Sequence, residues 1–221
     1  MFIRTNLTIV TRKIFLLWKN IREKYSYIKG GNNIVDTKNG ITVGTRIRIT
    51  GTGNTVVIEK GALLQNSLVK IQGNNNVVIL HPWALVSGAE LWVENDGCRM
   101  EIGANTFVGH HSHLACTENG RQLLIGQDGM ISSYVQIRTG DSHSIFDADK
   151  KRINQARDVI IGNHVWIGEG AKVLKGVILQ NNIVVATGAI VTKPFHDEGL
   201  LLAGVPAKAI KVNISWDTQR L

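Results

Sequence analysis

The chain has 221 residues, of which 43% are hydrophobic, 6% aromatic and 19% charged, with 23 glycines and a formal net charge of +8. This composition suits one domain of short strands and tight turns, and argues against a disordered chain or a helical bundle. Two cysteines without a CxxC pattern exclude a disulfide framework, so we expect reduced thiols in a cytoplasmic protein.

The first 30 residues are predicted to form a basic amphipathic helix. Apolar side chains recur every three or four positions, at Ile14, Leu17, Trp18, Ile21, Tyr25 and Ile28. Residues 1–29 also carry seven basic residues against one acidic residue. This helix either packs on the rest of the protein or a neighbouring subunit, or attaches peripherally to an anionic membrane at the inner face.

Residues 31–212 are dominated by a repeat of six residues. Residues 161–190 divide into five consecutive hexads, each opening with Ile, Val or Leu and carrying a small or aliphatic residue at its fifth position. Copies in register begin at residues 102, 108, 125, 131 and 137, and weaker copies begin at residues 58, 64, 79 and 85. A period of six fits neither a helix nor a simple strand, and it predicts a solenoid whose coils contain three short strands.

Gly- and Asn-rich stretches and two interruptions punctuate this repeat. The stretches at 30–33, 51–54 and 73–76 are predicted to be turns of irregular early coils. Residues 115–122 and 143–158 break the register with mostly polar segments, and we expect both to be loops on one face of the solenoid. Residues 213–221 are left as a C-terminal tail.

The hexads, together with VWIG at 165–168 and AGVPAK at 203–208, resemble the hexapeptide-repeat acyltransferases. The likeness is strongest to the bacterial polysaccharide and sugar O-acetyltransferases of that family. It implies an all-β left-handed parallel β-helix that forms a homotrimer with active sites between subunits. The handedness comes from the resemblance alone, since general rules for parallel crossovers favour the right-handed form. The implied reaction moves an acetyl group from acetyl-CoA to a hydroxyl of a surface glycan (capsule, O-antigen or exopolysaccharide) or its precursor.

His143, at the start of the second interruption, is the candidate general base. Histidine suits that role because its ordinary pKa lies near neutrality, and the resemblance assigns the role to this residue. Asp141 or a backbone carbonyl is expected to orient the imidazole ring, and Trp166 is expected to line the acceptor and thioester site. A thioester carbonyl is already electrophilic, so one base is sufficient without a metal or a covalent intermediate.

The resemblance also assigns a binding site for acetyl-CoA to the last coils. The pantetheine arm is expected near Trp166, Gly168, Ala186, Thr187 and Gly188. The nucleotide and its phosphates are expected at Thr192, Lys193, Lys208 and Lys211, where lysines supply point charges rather than bidentate forks.

A histidine-rich stretch covers residues 110–113, where related enzymes often carry an Asn that positions substrates. We therefore expect His111 and His113 to contact the acceptor. In an alternating strand these two side chains share a face and His110 points away, which is too few ligands for a metal site. No metal is predicted.

Other functions are less well supported by these patterns. An N-acetyltransferase acting on an amino sugar shares the fold and is the nearest alternative, followed by a non-catalytic β-helix scaffold. A γ-class carbonic anhydrase would need three histidine ligands that this spacing does not supply. Nucleic-acid binding through the basic amino end lacks an aromatic platform or a recognised motif.

Overall fold

Equivalent strands of successive coils pair with one another, so that the chain builds three sheets that run along the whole stack. The computed structural model describes residues 26–219, which form about eight coils of three short strands each. Strands follow one another from the first sheet to the second and third, and then return to the first in the next coil. The cross-section is therefore triangular, with a turn at each corner.

The first sheet contains eight strands, which are β1 (Tyr27–Lys29), β4 (Arg46–Thr50), β7 (Leu68–Gln72), β10 (Glu90–Glu94), β13 (His113–Thr117), β16 (Gln136–Arg138), β19 (Lys172–Val173) and β22 (Ile190–Val191). The second sheet contains seven, which are β2 (Ile34–Asp36), β5 (Thr55–Ile58), β8 (Val77–Leu80), β11 (Arg99–Ile102), β14 (Gln122–Ile125), β17 (Val159–Ile161) and β20 (Ile178–Leu179). The third sheet contains nine, which are β3 (Ile41–Val43), β6 (Leu63–Gln65), β9 (Leu85–Ser87), β12 (Phe107–Val108), β15 (Met130–Ile131), β18 (Trp166–Ile167), β21 (Val184–Val185), β23 (Leu201–Gly204) and β24 (Ala207–Lys211). Neighbouring strands are parallel except for the final hairpin, in which β24 pairs with β23 in the antiparallel sense.

The core lies inside the triangle and follows the predicted hexads. The opening residues of the five consecutive hexads are at most 2% exposed, and they are Ile161, Ile167, Val173, Leu179 and Val185. The fifth positions are at most 1% exposed, and they are Val165, Ala171, Val177, Ile183 and Ala189. The predicted solenoid of three-stranded coils is therefore confirmed.

The two weakest hexads were assigned one residue too early. Leu80 and Val86 face the core, whereas Ile79 and Leu85, the predicted inward residues, lie on the outer face. Because side chains alternate along a strand, a register error of one residue exchanges the inner and outer faces.

The early Gly- and Asn-rich stretches form the turns between the first and second sheets, as predicted. Asn54 and Asn76, at equivalent positions of adjacent turns, are fully buried. The Oδ1 atom of Asn54 accepts hydrogen bonds from the backbone N–H and the side-chain amide of Asn76, both at 3.0 Å, and its Nδ2 donates to the Gly73 carbonyl at 2.9 Å. These amides satisfy buried backbone groups that the sheets leave unpaired.

The two predicted interruptions have different outcomes. Residues 115–122 do not protrude, because they comprise the end of β13, a four-residue corner turn and the start of β14. The second interruption is a genuine insertion, and it occupies all residues between β16 and β17, from 139 to 158.

The predicted amino-terminal helix lies mostly outside the described residues. Its last apolar position, Ile28, belongs to β1 instead, so the solenoid begins before residue 31. Within residues 26–219 no helix is long and apolar enough to cross a membrane.

We predict that Asn54→Ala lowers the free energy of unfolding by about 1–3 kcal/mol, because it leaves buried backbone partners unsatisfied. Urea unfolding followed by circular dichroism measures this loss. Asn74→Ala is the matched control, since Asn74 is exposed in the same turn column and accepts a hydrogen bond from the Thr52 N–H at 2.9 Å. Equal losses in the two variants would contradict a special role for the buried ladder.

Candidate functional site

The insertion that carries His143 leaves the solenoid at the corner between the first and second sheets. Thr139, which follows β16, is fully buried and anchors the start of the insertion. Its Oγ1 atom accepts a hydrogen bond from the Thr117 N–H at 2.8 Å and donates one to the Thr117 carbonyl at 3.0 Å. The insertion therefore begins from a fixed point on the preceding coil.

Asn154 organises the interior of this insertion. It is only 6% exposed. Its Nδ2 atom donates to the carbonyl of His143 at 2.7 Å and to the carboxylate of Asp141 at 3.0 Å. Its Oδ1 atom accepts from the N–H of Ile145 at 2.7 Å and from Nε of Arg152 at 3.2 Å. One buried amide thus holds both arms of the insertion and fixes the backbone at His143.

Lys175 ties this arrangement to the next coil. Its ammonium donates a hydrogen bond to the Asp141 carboxylate and another to the Asn154 carbonyl at 2.9 Å. Partial burial raises the pKa of Asp141, but the hydrogen bonds from Lys175 and Asn154 outweigh this effect and hold the pKa below its ordinary value. Asp141 is therefore a carboxylate at neutral pH and serves as an anchor of the insertion.

A second contact fastens the insertion to the preceding coil. The Arg152 guanidinium donates two hydrogen bonds to the Glu118 carboxylate, one of them from Nη1 at 2.9 Å. The backbone N–H of Ala156 donates to the same carboxylate at 3.3 Å. The hydrogen bonds from Arg152 lower the pKa of Glu118, so the pair is fully charged at neutral pH.

His143 itself points to solvent from this ordered backbone. Its side chain is exposed, and among residues 26–219 no hydrogen bond reaches its ring. Asp141, which was expected to orient the ring, is instead bonded to Lys175 and Asn154. Within one chain the position of His143 is defined through its backbone.

Trp166 lies on the outer face of the third sheet, partly buried, rather than in the core. Its indole Nε1 donates to the Ser132 hydroxyl at 3.2 Å. The C-terminal tail returns to this surface, because Trp216 stacks on His164 with ring centroids 4.3 Å apart and lies 6.0 Å from Trp166. Sequence reasoning missed Trp216, since a single aromatic residue in a polar tail carries no periodic signal.

The residues assigned to the coenzyme gather at the carboxyl end of the solenoid. Thr192 and Lys193 follow β22, and Lys208 and Lys211 lie on β24, with all four side chains exposed. Ala186, Thr187 and Gly188 form the turn after β21. Gly168 has a reason within the fold, because a Cβ atom there would approach the backbone nitrogen of Thr187 to 2.7 Å. The stacking of coils, and not only a ligand, requires that glycine.

The histidine-rich stretch straddles the corner between the third and first sheets. His111 occupies a turn with a φ of 59°, and His113 begins β13, so the expected strand alternation does not apply. Both residues nevertheless line one shallow groove. Burial lowers the pKa of His113, and the Arg138 charge acts in the same direction. Within residues 26–219 no three His, Cys, Asp or Glu side chains gather closely enough to hold a metal ion.

One chain does not bring the predicted site residues together. The His143 insertion occupies the corner between the first and second sheets, and Trp166 lies on the third sheet. In a triangular cross-section that corner is opposite the third sheet. His143 and Trp166 therefore lie on opposite sides of the solenoid.

Known proteins share this architecture. No family model matches the chain. The crystal structure of the polySia-specific acetyltransferase NeuO superposes with a TM-score of 0.79 and 30% identity, covering 89% of this chain and 90% of that chain. The polysialic acid O-acetyltransferase OatWY superposes with a TM-score of 0.76 and 31% identity, covering 87% of this chain and 91% of that one.

The chain belongs to the hexapeptide-repeat acetyltransferase family. A polysialic acid O-acetyltransferase from Escherichia coli O1:K1 / APEC is 37% identical over 125 residues, which are 56% of this chain and 40% of the relative. The chain spans about half the length of the curated relatives that it matches first.

We predict that Asn154→Ala loosens the insertion without unfolding the solenoid. Losing four hydrogen bonds of one buried amide should raise the rate of tryptic cleavage after Lys150 and Lys151 by about tenfold or more. Mass spectrometry of timed digests measures this rate. Ser144→Ala, which changes an exposed side chain of the same insertion, is the control. An unchanged cleavage rate in Asn154→Ala would show that the insertion is ordered by other contacts.

We also predict that the Glu118–Arg152 contact weakens in acid. Because the folded state lowers the pKa of Glu118, its stabilisation is present above the ordinary value of 4.5 and is lost as the pH falls below it towards the lowered pKa. The free energy of unfolding of the wild type should therefore exceed that of Glu118→Gln by about 1 kcal/mol at neutral pH. The two values should converge in acid. Thermal melting across a pH series tests this, and a difference independent of pH would contradict it.

Proposed function

We propose that this protein transfers an acetyl group from acetyl-CoA to a hydroxyl of a bacterial surface glycan. One observation carries the proposal. The likeness to the polysialic acid-specific NeuO extends over 89% of this chain and 90% of that one, with a TM-score of 0.79. Polysialic acid, the polymer for which NeuO and OatWY are named, is the first acceptor to test.

His143 acts as the general base of this reaction. One ring nitrogen takes the proton of the acceptor hydroxyl while the oxygen attacks the thioester carbonyl of acetyl-CoA. The C–S bond then breaks, the acetyl group stays on the acceptor oxygen, and the imidazolium returns the proton to the leaving thiolate. The exposed ring and the backbone held by Asn154 support this role, since the base must reach a substrate outside its own chain.

The active site is proposed to lie between subunits of a homotrimer, because one chain separates His143 from Trp166. The outer faces of the sheets favour such an assembly. The second sheet carries a mostly apolar outer column, in which Glu101 separates Val57 and Ile79 from Leu124, Ile160 and Ile178. The third sheet carries another, formed by Leu63, Leu85, Phe107, Met130 and Trp166. The first sheet is polar by comparison, with Arg48, Lys70, Gln72, Glu90 and Glu94.

Packing the second sheet of one subunit on the third sheet of the next would bury the apolar side chains of both columns. Around a three-fold axis, this places the corner that carries His143 beside the Trp166 face of the neighbour. The insertion also exposes Ile145, Phe146 and Ile153, each by more than half, and a neighbouring subunit would cover them. We take the coils to be left-handed, as the resemblance to the family implies.

Acetyl-CoA is proposed to lie along the last coils. Its pantetheine arm would pass Trp166, Gly168 and the turn at 186–188, and its phosphates would meet Lys193, Lys208 and Lys211, which are exposed and carry no acidic partner among residues 26–219. The amino-terminal segment would supply any peripheral attachment to the inner face of the membrane.

We predict that His143→Asn abolishes general-base catalysis and lowers kcat for acetyl transfer by about 10²–10⁴-fold. The rate of thiol release from acetyl-CoA in the presence of oligosialic acid measures this kcat. His196→Ala, a change at another exposed histidine, should retain the wild-type rate. Wild-type turnover by His143→Asn would remove His143 from this role.

We predict that Ile160→Glu dissociates the trimer. Ile160 is 38% exposed in the single chain, and a carboxylate buried against an apolar neighbour loses solvation without gaining a partner. Sedimentation velocity should give a trimer for wild type and a monomer for the variant. Gln136→Glu, on the exposed first sheet of the same coil, is the charge-matched control. A trimeric Ile160→Glu would place the interface elsewhere.

A further inference from the structure

The corner between the third and first sheets repeats one backbone conformation in every coil. At this corner one residue per coil lies in the left-handed region with φ between 50° and 69°, and these residues are Gly44, Asn66, Gly88, His111, Tyr134, Gly170 and Gly188. Five of the seven are glycine or asparagine, the residues that adopt this conformation most readily. His111 and Tyr134, in adjacent coils, are the exceptions.

Bulky aromatic residues are uncommon at positive φ, because the Cβ atom crowds the backbone there. The φ of 59° at His111 and of 60° at Tyr134 therefore costs more free energy than the same conformation costs at the glycines of this column. Strain of this kind persists only where the surrounding structure holds it in place, and it clusters at active sites and ligand sites.

The two side chains do not serve the core. Their rings stack on each other with centroids 4.9 Å apart and planes inclined by 20°. Tyr134 is 55% exposed, and His111 is exposed as well. The following residue of each turn, Ser112 or Val135, is the one that faces inward and is buried. The stack is therefore a flat aromatic surface presented to solvent.

Polar groups and the proposed catalytic elements surround this surface. Next to His111 lies a groove of about 310 Å³ that Arg46, Glu90 and His113 also line, so that a charged donor and an acceptor are within the same concavity. On the other side, Ser132, two residues before Tyr134, accepts the hydrogen bond from the Trp166 indole at 3.2 Å. Trp166 is therefore hydrogen-bonded to the same turn that carries Tyr134.

We propose that the His111–Tyr134 stack binds the ring of an acceptor sugar, with Tyr134 as its main contact. The apolar face of a sugar ring packs on an aromatic surface, while hydroxyl and carboxylate groups reach polar groups at the rim. This inference rests on the proposed function and deepens it. In the proposed trimer, the corner that carries Tyr134 lies beside the neighbour's corner between the first and second sheets, at the level of its His143. The stack would then hold the acceptor between Trp166 of its own chain and the base of the next.

The test replaces Tyr134 by asparagine, the residue that Asn66 shows to be tolerated in the same column. Tyr134→Asn should raise the KM and the Kd for oligosialic acid by about tenfold, which is the upper range for an aromatic contact. The KM for acetyl-CoA should not change, and the melting temperature should stay equal or rise because strain is relieved. Tyr134→Phe keeps the ring and should retain acceptor affinity. Asn32→Gly, which relaxes another positive φ of 54° far from this corner, controls for the backbone change.

Acceptor affinity is also measured by calorimetry without acetyl-CoA, which separates this inference from the proposed reaction. If wild type binds oligosialic acid but does not acetylate it, weaker binding by Tyr134→Asn still supports the sugar platform while the reaction fails. If wild type acetylates the glycan and Tyr134→Asn keeps the wild-type KM and Kd for it, the role of the His111–Tyr134 stack in sugar binding is overturned while the proposed reaction stands. A fall in melting temperature with equal losses for both substrates would make the stack a structural brace, and this also overturns the inference.

Discussion

The inward aliphatic side chain of each strand is the interaction on which this molecule depends. A single coil of three short strands has almost no interior of its own, and it becomes stable only when the coils above and below cover its aliphatic residues. This requirement sets the period of six, because each strand must return one side chain to the same interior line. The buried ladders at Ile161, Ile167 and Val173 satisfy it, and the backbone hydrogen bonds between coils follow the same register.

Stacking in register has a consequence for the surface, since every outer position becomes part of a column. In the corner column between the third and first sheets, five of the seven residues with positive φ are glycine or asparagine. A column in which the residue type changes partway along the solenoid indicates that the position has a role besides forming the turn. The replacement of glycine by His111 and Tyr134 is one such change, and the contrast between the polar first sheet and the apolar outer column of the third sheet is another.

The candidate site draws on elements that the fold keeps apart. The His143 insertion is held to the preceding coil through Glu118 and to the next coil through Lys175, so its anchors span three coils. Trp166 belongs to the opposite face of the same coil. His143, the proposed base, is held through its backbone and faces solvent, which suits a site completed by a neighbouring subunit.

The sequence alone was sufficient to predict the solenoid, its late coils, an insertion that carries His143, and an outward-facing Trp166. The reason is that the hexads and the family motifs are local patterns, readable within a few residues. It was not sufficient for the register at Ile79 and Leu85. Each of these outer residues is followed by an aliphatic inner residue, so the hexad can be started at either one. The roles of Asn154, Lys175 and Glu118 were also out of reach, because their partners lie up to 38 residues away and meet only through the path of the insertion. Only the tertiary structure decided that His143 and Trp166 face opposite ways, since the side of a triangular coil on which a residue lies depends on the turns before it.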